Sequence, residues 1–257
     1  ICFVNREAAF SLFSASAALT GSLAADASPA AAFCVSGGGE YYAVSDDGAV
    51  RIFDATLGEL KSFSVKADRI ALSDAGAPVL FYVSDGKILC RSVFGQTQAA
   101  TLALNAADFA YMRISASAGA MYFIRDKKLF RTIINFSNGE ATASQETAVD
   151  ASFSDKATRV RVPTDENGDS VLVVQGQSGL YVNGARLRLS GLTDAVFEDG
   201  VLKLLLEENG LASVAYVDGA SLRLTEKQKV CFCDAACFAG GSSLFVVRDK
   251  AVGTENF

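Results

Sequence analysis

The stretch AVSDDGAVRIFDATLGELKSF, residues 43–63, alternates short apolar runs with turn residues. It predicts a strand, a turn at SDDG, a second strand, a turn at TLG and a third strand, because Asp and Gly tolerate the backbone conformations of tight turns. Apolar residues at helical spacing are almost absent from it. The stretch therefore predicts an all-β fold, and the fold depends on whether this unit recurs.

Comparable turns followed by an apolar strand do recur along the chain. Their successive spacings are 38, 41, 52, 31 and 40 residues, with a mean of about 40, when they are marked by Asp47, Asp85, Asp126, Ser178, Asn209 and Asp249. A seventh turn is expected near Ser16. A period of about 40 residues is typical of β-propeller blades. Residues 1–257 are therefore predicted to form a single β-propeller domain of about seven four-stranded blades.

Each unit contains four strand-like segments in the same order. In the clearest unit, AAFCV is the predicted inner strand, YYAVS the second, AVRIFDA the third and ELKSFSV the outer one. A later unit repeats this with VLKLLLE, LASVAYV and ASLRLTE, which are separated by ENG and DG. Runs such as Val201–Leu206 and Leu244–Val247 are almost wholly apolar, which is expected if both faces of each sheet are covered by neighbouring blades.

Closure of the predicted propeller leaves two alternatives. A propeller removes an exposed edge strand by completing one blade from both chain ends, so ICFVN at 1–5 is a candidate outer strand for the last blade. The first blade would then be short of strands. Otherwise the chain lacks sequence at one end. Six and seven blades both fit these spacings.

Residues 30–65 resemble a WD repeat most closely. SDDGAVRIFDATLGELKSF has a turn Asp-Gly, a V-R-I-x-D strand, a short loop and an outer strand, and 72–104 repeats this more weakly. The chain departs from the family because it has no Trp and no His. Phe53 occupies the usual Trp position, and the family's His–Ser–Asp–Trp network cannot form, although Asp47 and Asp85 stand where its turn Asp would be. VSGGGEYYAVSDDGAV also resembles a regulator-of-chromosome-condensation repeat, the runner-up, and either resemblance implies a propeller.

Composition limits the classes of partner. Half of the 257 residues are hydrophobic, which supplies a large core, and the net charge of −6 disfavours a surface for nucleic acids. No run approaches the roughly 20 apolar residues of a membrane-spanning helix. Residues 6–30 resemble a signal peptide, but serines interrupt the apolar run and it alternates like a strand. We expect an intracellular protein, cytoplasmic or nuclear, with secretion as the alternative; the absence of an initiator Met suggests processing or a longer chain.

The six cysteines predict reduced thiols. Three lie in strand-like runs, and the other three lie in VCFCDAACF at 230–238. This cluster has no histidine to complete the usual ligand set of a structural zinc site. Cys231 and Cys233 are expected on one face of a strand as buried thiols. We therefore expect no metal and no cofactor, and a reducing compartment.

The absence of histidine also excludes Ser-His-Asp and Cys-His catalysis. Acidic residues cluster in DDG and SDG turns, where an Asx turn is sufficient reason for them. Asp46, Asp47, Gly48, Asp85 and Gly86 are accordingly assigned as structural turn residues. The glycines of SGGGE at 36–40 lack the following Lys-Ser/Thr of a phosphate-binding loop. A hydrolase with carboxylates in a propeller channel remains an alternative.

The longest unit contains the candidate binding site. Its excess of residues falls near 149–170, and insertions in repeat proteins often form a binding face. Arg159 and Arg161 alternate with valines, so they would share one side of an extended segment, close to Lys156. Such a cluster on an acidic protein could bind a partner's carboxylates. A solvated edge with a plain loop is the alternative.

These observations predict a non-catalytic scaffold for protein–protein interactions, acting as a subunit of a larger complex. Its partners would be proteins, recognised by loop side chains on a rigid framework. Guanine-nucleotide exchange on a small GTPase is an alternative that the resemblance to other exchange-factor propellers implies. The channel-carboxylate hydrolase is a second alternative.

Overall fold

The structure is a computed structural model, and it describes the chain except residues 1, 7–8, 14–18, 25–31, 37–39, 46–47, 55, 57, 68, 74–77, 96–97, 138–139, 150–155, 166, 239–241 and 249–250. Before Cys34, and at several positions near the C-terminus, it describes strands but not side chains. Every regular secondary-structure element among the described residues is a β-strand. Contacts divide the chain into two compact units, residues 23–150 and residues 1–22 with 151–257.

The strands form successive antiparallel sheets in which each strand pairs with the next in sequence. The first sheet contains β1 (Cys2–Arg6), β2 (Ala9–Phe13) and β3 (Leu19–Ala24). The next contains β4 (Ala32–Val35), β5 (Tyr41–Ser45), β6 (Val50–Asp54) and β7 (Glu59–Phe63). The third contains β8 (Arg69–Ser73), β9 (Val79–Ser84), β10 (Lys87–Ser92) and β11 (Ala100–Leu104). The fourth contains β12 (Ala106–Arg113), β13 (Ala118–Arg125), β14 (Lys128–Ser137), β15 (Glu140–Ala143) and β16 (Thr147–Ala148), which also pairs with β14.

The remaining sheets follow the same order. The fifth contains β17 (Arg159–Arg161), β18 (Val173–Gln175), β19 (Leu180–Val182) and β20 (Ala185–Leu187). The sixth contains β21 (Leu192–Glu198), β22 (Val201–Glu208), β23 (Leu211–Asp218) and β24 (Arg223–Phe232). The last contains β25 (Ala235–Phe238), β26 (Ser243–Arg248) and β27 (Ala251–Asn256). The all-β prediction is confirmed: among the described residues, the second, third, fifth and sixth sheets have four antiparallel strands, the fourth has five, and the first and last have three.

Tight turns lie between the second and third strands of the sheets. Asp85 and Gly86 join β9 to β10 with φ of 50° and 68°, and Asn209 and Gly210 join β22 to β23 with φ of 53° and 77°. Positive φ at both positions is the geometry of a type I′ hairpin, which Asp-Gly and Asn-Gly favour. Asp126 and Ser178 lie in the equivalent connections of the fourth and fifth sheets. The markers at 16, 47 and 249 lie outside the described residues.

Within each unit, the core lies between consecutive sheets, so central strands such as β9 and β22 are buried on both faces. In β9, Phe81 packs towards the fourth sheet, whereas Leu80 and Tyr82 pack towards the second. In β22, Leu204 packs towards the fifth sheet and Leu205 towards the last. This two-sided burial is the physical reason for the continuous apolar runs, since neither face of such a strand meets water.

Two expectations about chain organisation are resolved by strand pairing. Cys2–Arg6 pairs with Ala9–Phe13 in the first sheet, so the alternative that placed residues 1–5 in the last sheet was wrong. Within the described residues, two features lengthen the fourth spacing. The fourth sheet gains the extra strand β16, and residues 162–172 form a long connection between β17 and β18. Thr164 and Ser170 bridge this connection as an isolated antiparallel pair.

Candidate functional site

Arg159 and Arg161 lie on β17, the first strand of its sheet, on either side of fully buried Val160. Arg159 is exposed, and its Nη1 donates to the carbonyl oxygen of Leu192 at the start of β21. Arg161 is half-buried, and its Nη1 donates to the carbonyl oxygen of Val160 at 2.7 Å. Lys156 is exposed three residues before β17. Both guanidinium groups thus have hydrogen-bonding roles within the fold.

Two clefts flank this part of the fold. One, of about 490 Å³, lies between the β17–β18 connection and β21, and its acidic lining residues are Asp165, Glu198 and Asp199. Asp165 Oδ1 accepts the amide of Asp169 at 2.8 Å, and Glu198 pairs with Lys203 at 3.0 Å. The other cleft, of about 320 Å³, includes Arg159. The long connection therefore contributes Asp165 to an acidic cleft, whereas Arg159 lines the other cleft.

Asp194 connects three consecutive sheets. It follows a β-bulge in β21, and its Oδ2 accepts the amide of Phe238 on β25 at 3.1 Å. Its Oδ1 accepts the amide of Ala195 at 2.8 Å. Burial raises the pKa of Asp194, while these two amides and the charge of Arg161 oppose that rise. Arg161 thus supports a carboxylate of its own fold, besides any role in binding.

Replacement of Asp194 by asparagine is expected to remove part of the pH dependence of stability. A raised carboxyl pKa means that the folded chain binds this proton more tightly than the unfolded chain. The contribution of Asp194 to the free energy of unfolding should therefore fall as pH rises from 3.8 through the raised pKa, and Asp194→Asn should lack this contribution. Urea unfolding of both proteins from about pH 3 to about pH 7 measures the difference.

Asp218→Asn is the control, because hydrogen bonds from Ser221 lower the pKa of Asp218. Its stabilising contribution is present at higher pH and is lost as pH falls, so the two variants should depart from the wild type with opposite slopes. A difference between the wild type and Asp194→Asn that is independent of pH would contradict the assignment.

A similar acid occurs in the other unit. Asp108 follows a bulge at the start of β12, and its Oδ1 lies 2.8 Å from Nε of Arg69 on β8. Ser73 and Tyr111, further along the same two strands, are joined by a 2.9 Å hydrogen bond between their hydroxyl groups. Sequence reasoning missed Asp108 and Asp194. Each stands two residues after a buried apolar residue at the start of its unit, and that pattern was the available signal.

The assigned turn residues occupy hairpin connections where they are described. Asp85 and Gly86 form the β9–β10 turn, and Gly48 is exposed between β5 and β6. Asp46 and Asp47 lie outside the described residues. A side chain added at Gly86 would meet no atom within 4 Å, so it is the positive φ there that favours glycine.

Four cysteines have described side chains, and all are free thiols. Cys231 and Cys233 contact the same core cluster between the sixth and last sheets. Burial raises the pKa of Cys34 to about 12 and that of Cys90 to about 11, which keeps both thiols protonated at neutral pH. Within the described residues, no three metal-binding side chains are grouped as a metal site, and no helix is long and apolar enough to cross a membrane.

The last strand of the sixth sheet presents an unusual outer face. The pairing of β24 with β23 has two register shifts, which leave Thr225 and Val230 as extra residues. Directly opposed residues of two paired strands lie on the same face of the sheet. One face of β23 carries every second residue, namely Leu211, Ser213, Ala215 and Val217. Their partners are Phe232, Lys229, Lys227 and Leu224, which we call the β24 ledge. Leu224 is 43% exposed and Phe232 is 70% exposed. Sequence reasoning missed this surface because a regular strand would place the lysines on the opposite face.

No protein-family profile and no curated protein sequence matches this chain. The β-propeller domain of Cps50 (Swd1) from Myceliophteria thermophila has 10% identity and a TM-score of 0.68, covering 99% of this chain and 92% of that one. Hydrazine synthase from Kuenenia stuttgartiensis has 11% identity and a TM-score of 0.64, with 97% and 90% covered. The WD40 domain of Pan2 from Neurospora crassa has 11% identity and a TM-score of 0.55, with 86% and 73% covered. These similarities confirm the predicted β-propeller fold.

Proposed function

We propose that this β-propeller is a non-catalytic scaffold that binds other proteins within a larger assembly, and that its blades are degenerate WD-type repeats. The observation that carries the proposal is the exposure of Leu224 and Phe232 on one face of β24. Burying these two large apolar side chains against a partner would remove apolar area from water, which favours an interaction site on this face.

Other exposed apolar residues support the same function. Phe94 follows β10 and lies in edge contact with Tyr41, with ring centroids 6.4 Å apart. Leu104 and Ile114 are also about half exposed. Exposed aromatic residues such as Phe94 often contribute much of the binding energy of protein interfaces. The similarity to the Swd1 and Pan2 domains is compatible with this function, whereas hydrazine synthase shows that the fold also occurs in an enzyme.

We further propose an intracellular site of action. The described thiols are free, and cysteines stay reduced in the cytoplasm and nucleus. The net charge of −6 favours protein partners over nucleic acids. Lys156, Arg159 and Arg161 stay part of the proposed binding surface, in addition to the contacts that the two arginines make within the fold.

Gentle purification of the endogenous protein, followed by cross-linking mass spectrometry, tests the scaffold function. We expect a stable set of partner chains, with cross-links from Lys156 or from the lysines of β24 to those partners. The control is Lys128, an exposed lysine at the start of β14, which should give fewer cross-links to partners. Elution of the protein at the mass of a single chain, with no partner cross-links, would contradict the proposal.

A further inference from the structure

The β24 ledge owes its composition to the two bulges. In a strand without bulges, Leu224 and Phe232 would lie on the opposite face from Lys227 and Lys229. Each bulge changes the alternation once, at Thr225 and at Val230. The result is a single face with an apolar side chain at each end and two lysines between them.

The difference in length between neighbouring strands is consistent with the exposure of this face. β24 has 10 residues, whereas β20, the last strand of the sheet that packs on this side, has 3. The core between these two sheets reaches Val217 on β23 and half-buried Leu222 in the turn after it, but it includes no residue of β24. Beyond that point, the four ledge residues are exposed.

The charge of the ledge is opposite to that of the whole chain. Lys227 and Lys229 are exposed on this face, in a protein with a net charge of −6. Lys227 Nζ lies 3.7 Å from Glu208 Oε2, a distance at which an exposed pair contributes little. An acidic partner would therefore be attracted to the ledge and repelled by the rest of the surface.

The dimensions of the ledge specify the form of the partner. Leu224 and Phe232 oppose Val217 and Leu211, which are six residues apart on β23 and thus separated by about 20 Å. The ledge is one strand wide, about 5 Å, whereas a helix with its side chains is about 10 Å across. An extended segment with two apolar residues six positions apart and acidic residues between them matches both dimensions.

We propose that the β24 ledge binds such an acidic, extended segment of a protein partner; this inference rests on the scaffold function. The carboxylates of the segment pair with Lys227 and Lys229, and its apolar side chains cover Leu224 and Phe232. Lysines and bulges on a last strand also prevent edge-to-edge pairing between sheets. That role accounts for the lysines, but it does not account for two large apolar side chains exposed on the same face.

Selection of displayed random peptides, about twelve residues long, on the full chain tests the inference. We expect the selected peptides to be rich in Asp and Glu, with apolar residues near both ends. Fluorescence anisotropy with the tightest peptide should show about tenfold weaker binding to Lys227→Glu/Lys229→Glu and to Leu224→Ser/Phe232→Ser. Binding should also weaken between about 50 mM and about 500 mM salt, because screening reduces attraction between exposed charges.

Lys61→Glu/Lys87→Glu is the matched control, because it makes the same change in net charge at exposed lysines of the other unit. It should leave binding within about twofold of the wild type. Circular dichroism and thermal unfolding verify that each variant is folded. Selected peptides that lack acidic residues, or acidic peptides that bind both lysine variants equally, would overturn the inference. If the inference fails but Lys227→Glu/Lys229→Glu still binds the endogenous partners, the scaffold function stands. If the wild type has no endogenous partners, the scaffold function and the inference both fail.

Discussion

Gly191→Ala is expected to lower the free energy of unfolding by about 3 kcal/mol. Gly191 precedes β21 and has φ of 77°, a conformation that an L-residue adopts only at a cost. A Cβ at this position would lie 2.2 Å from the carbonyl oxygen of Glu207 and 3.0 Å from its carbonyl carbon. The amide of Glu207 also donates to the carbonyl oxygen of Gly191 at 2.8 Å, so the two backbones cannot separate without losing that bond. Urea unfolding measures the change.

Gly200→Ala separates the two causes. Gly200 has a similar φ of 73°, but an added Cβ would meet no atom within 4 Å. This variant should lose only the conformational preference of glycine, about 1 kcal/mol. Equal losses for the two variants would show that the approach of β22 does not restrict the residue at position 191.

Phe81→Ala is expected to lower the free energy of unfolding by about 4 kcal/mol. Phe81 is fully buried on β9, stacks on Tyr111 with ring centroids 5.0 Å apart, and meets the edge of Phe136 at 6.3 Å. Both partners belong to the fourth sheet, so removing the ring leaves a cavity in the core between two sheets. Because β9 is buried on both faces, neighbouring side chains have little freedom to fill it.

Phe94→Ala is the matched control, since this ring is 57% exposed after β10. It should change the free energy of unfolding by no more than about 0.5 kcal/mol. Chemical unfolding of both variants at one pH gives the comparison. A loss below about 1 kcal/mol for Phe81→Ala would mean that the interface between the third and fourth sheets rearranges to fill the space.

Local chemistry was enough to predict the described strands and the turns at Asp85, Asp126, Ser178 and Asn209. Asp-Gly at 85–86 and Asn-Gly at 209–210 carry the positive φ values that such pairs favour. The apolar run Val201–Leu206 predicted burial on both faces, and Leu204 and Leu205 pack in opposite directions. These predictions succeeded because each depends on a few neighbouring residues and on a period that repeats along the chain.

The candidate site was predicted less completely. Alternation placed Arg159 and Arg161 on one side of β17, but their hydrogen bonds to Leu192 and Val160 depend on how the strands pack. The carboxylates of Asp108 and Asp194 bridge sheets whose inner strands are far apart in sequence. The sequence of one β-strand does not specify which distant amide or guanidinium group will contact such a carboxylate.

The β24 ledge shows most clearly where local reasoning stops. Its residues are all visible in the sequence, and a regular strand would distribute them over two faces. The bulges at Thr225 and Val230 unite them, and a bulge forms only when a partner strand fixes the register of pairing. The recurring unit and its two-sided burial follow from periodic local pattern, whereas the shared face of Leu224, Lys227, Lys229 and Phe232 follows from contacts between strands, because register is a property of a pair of strands and not of either one alone.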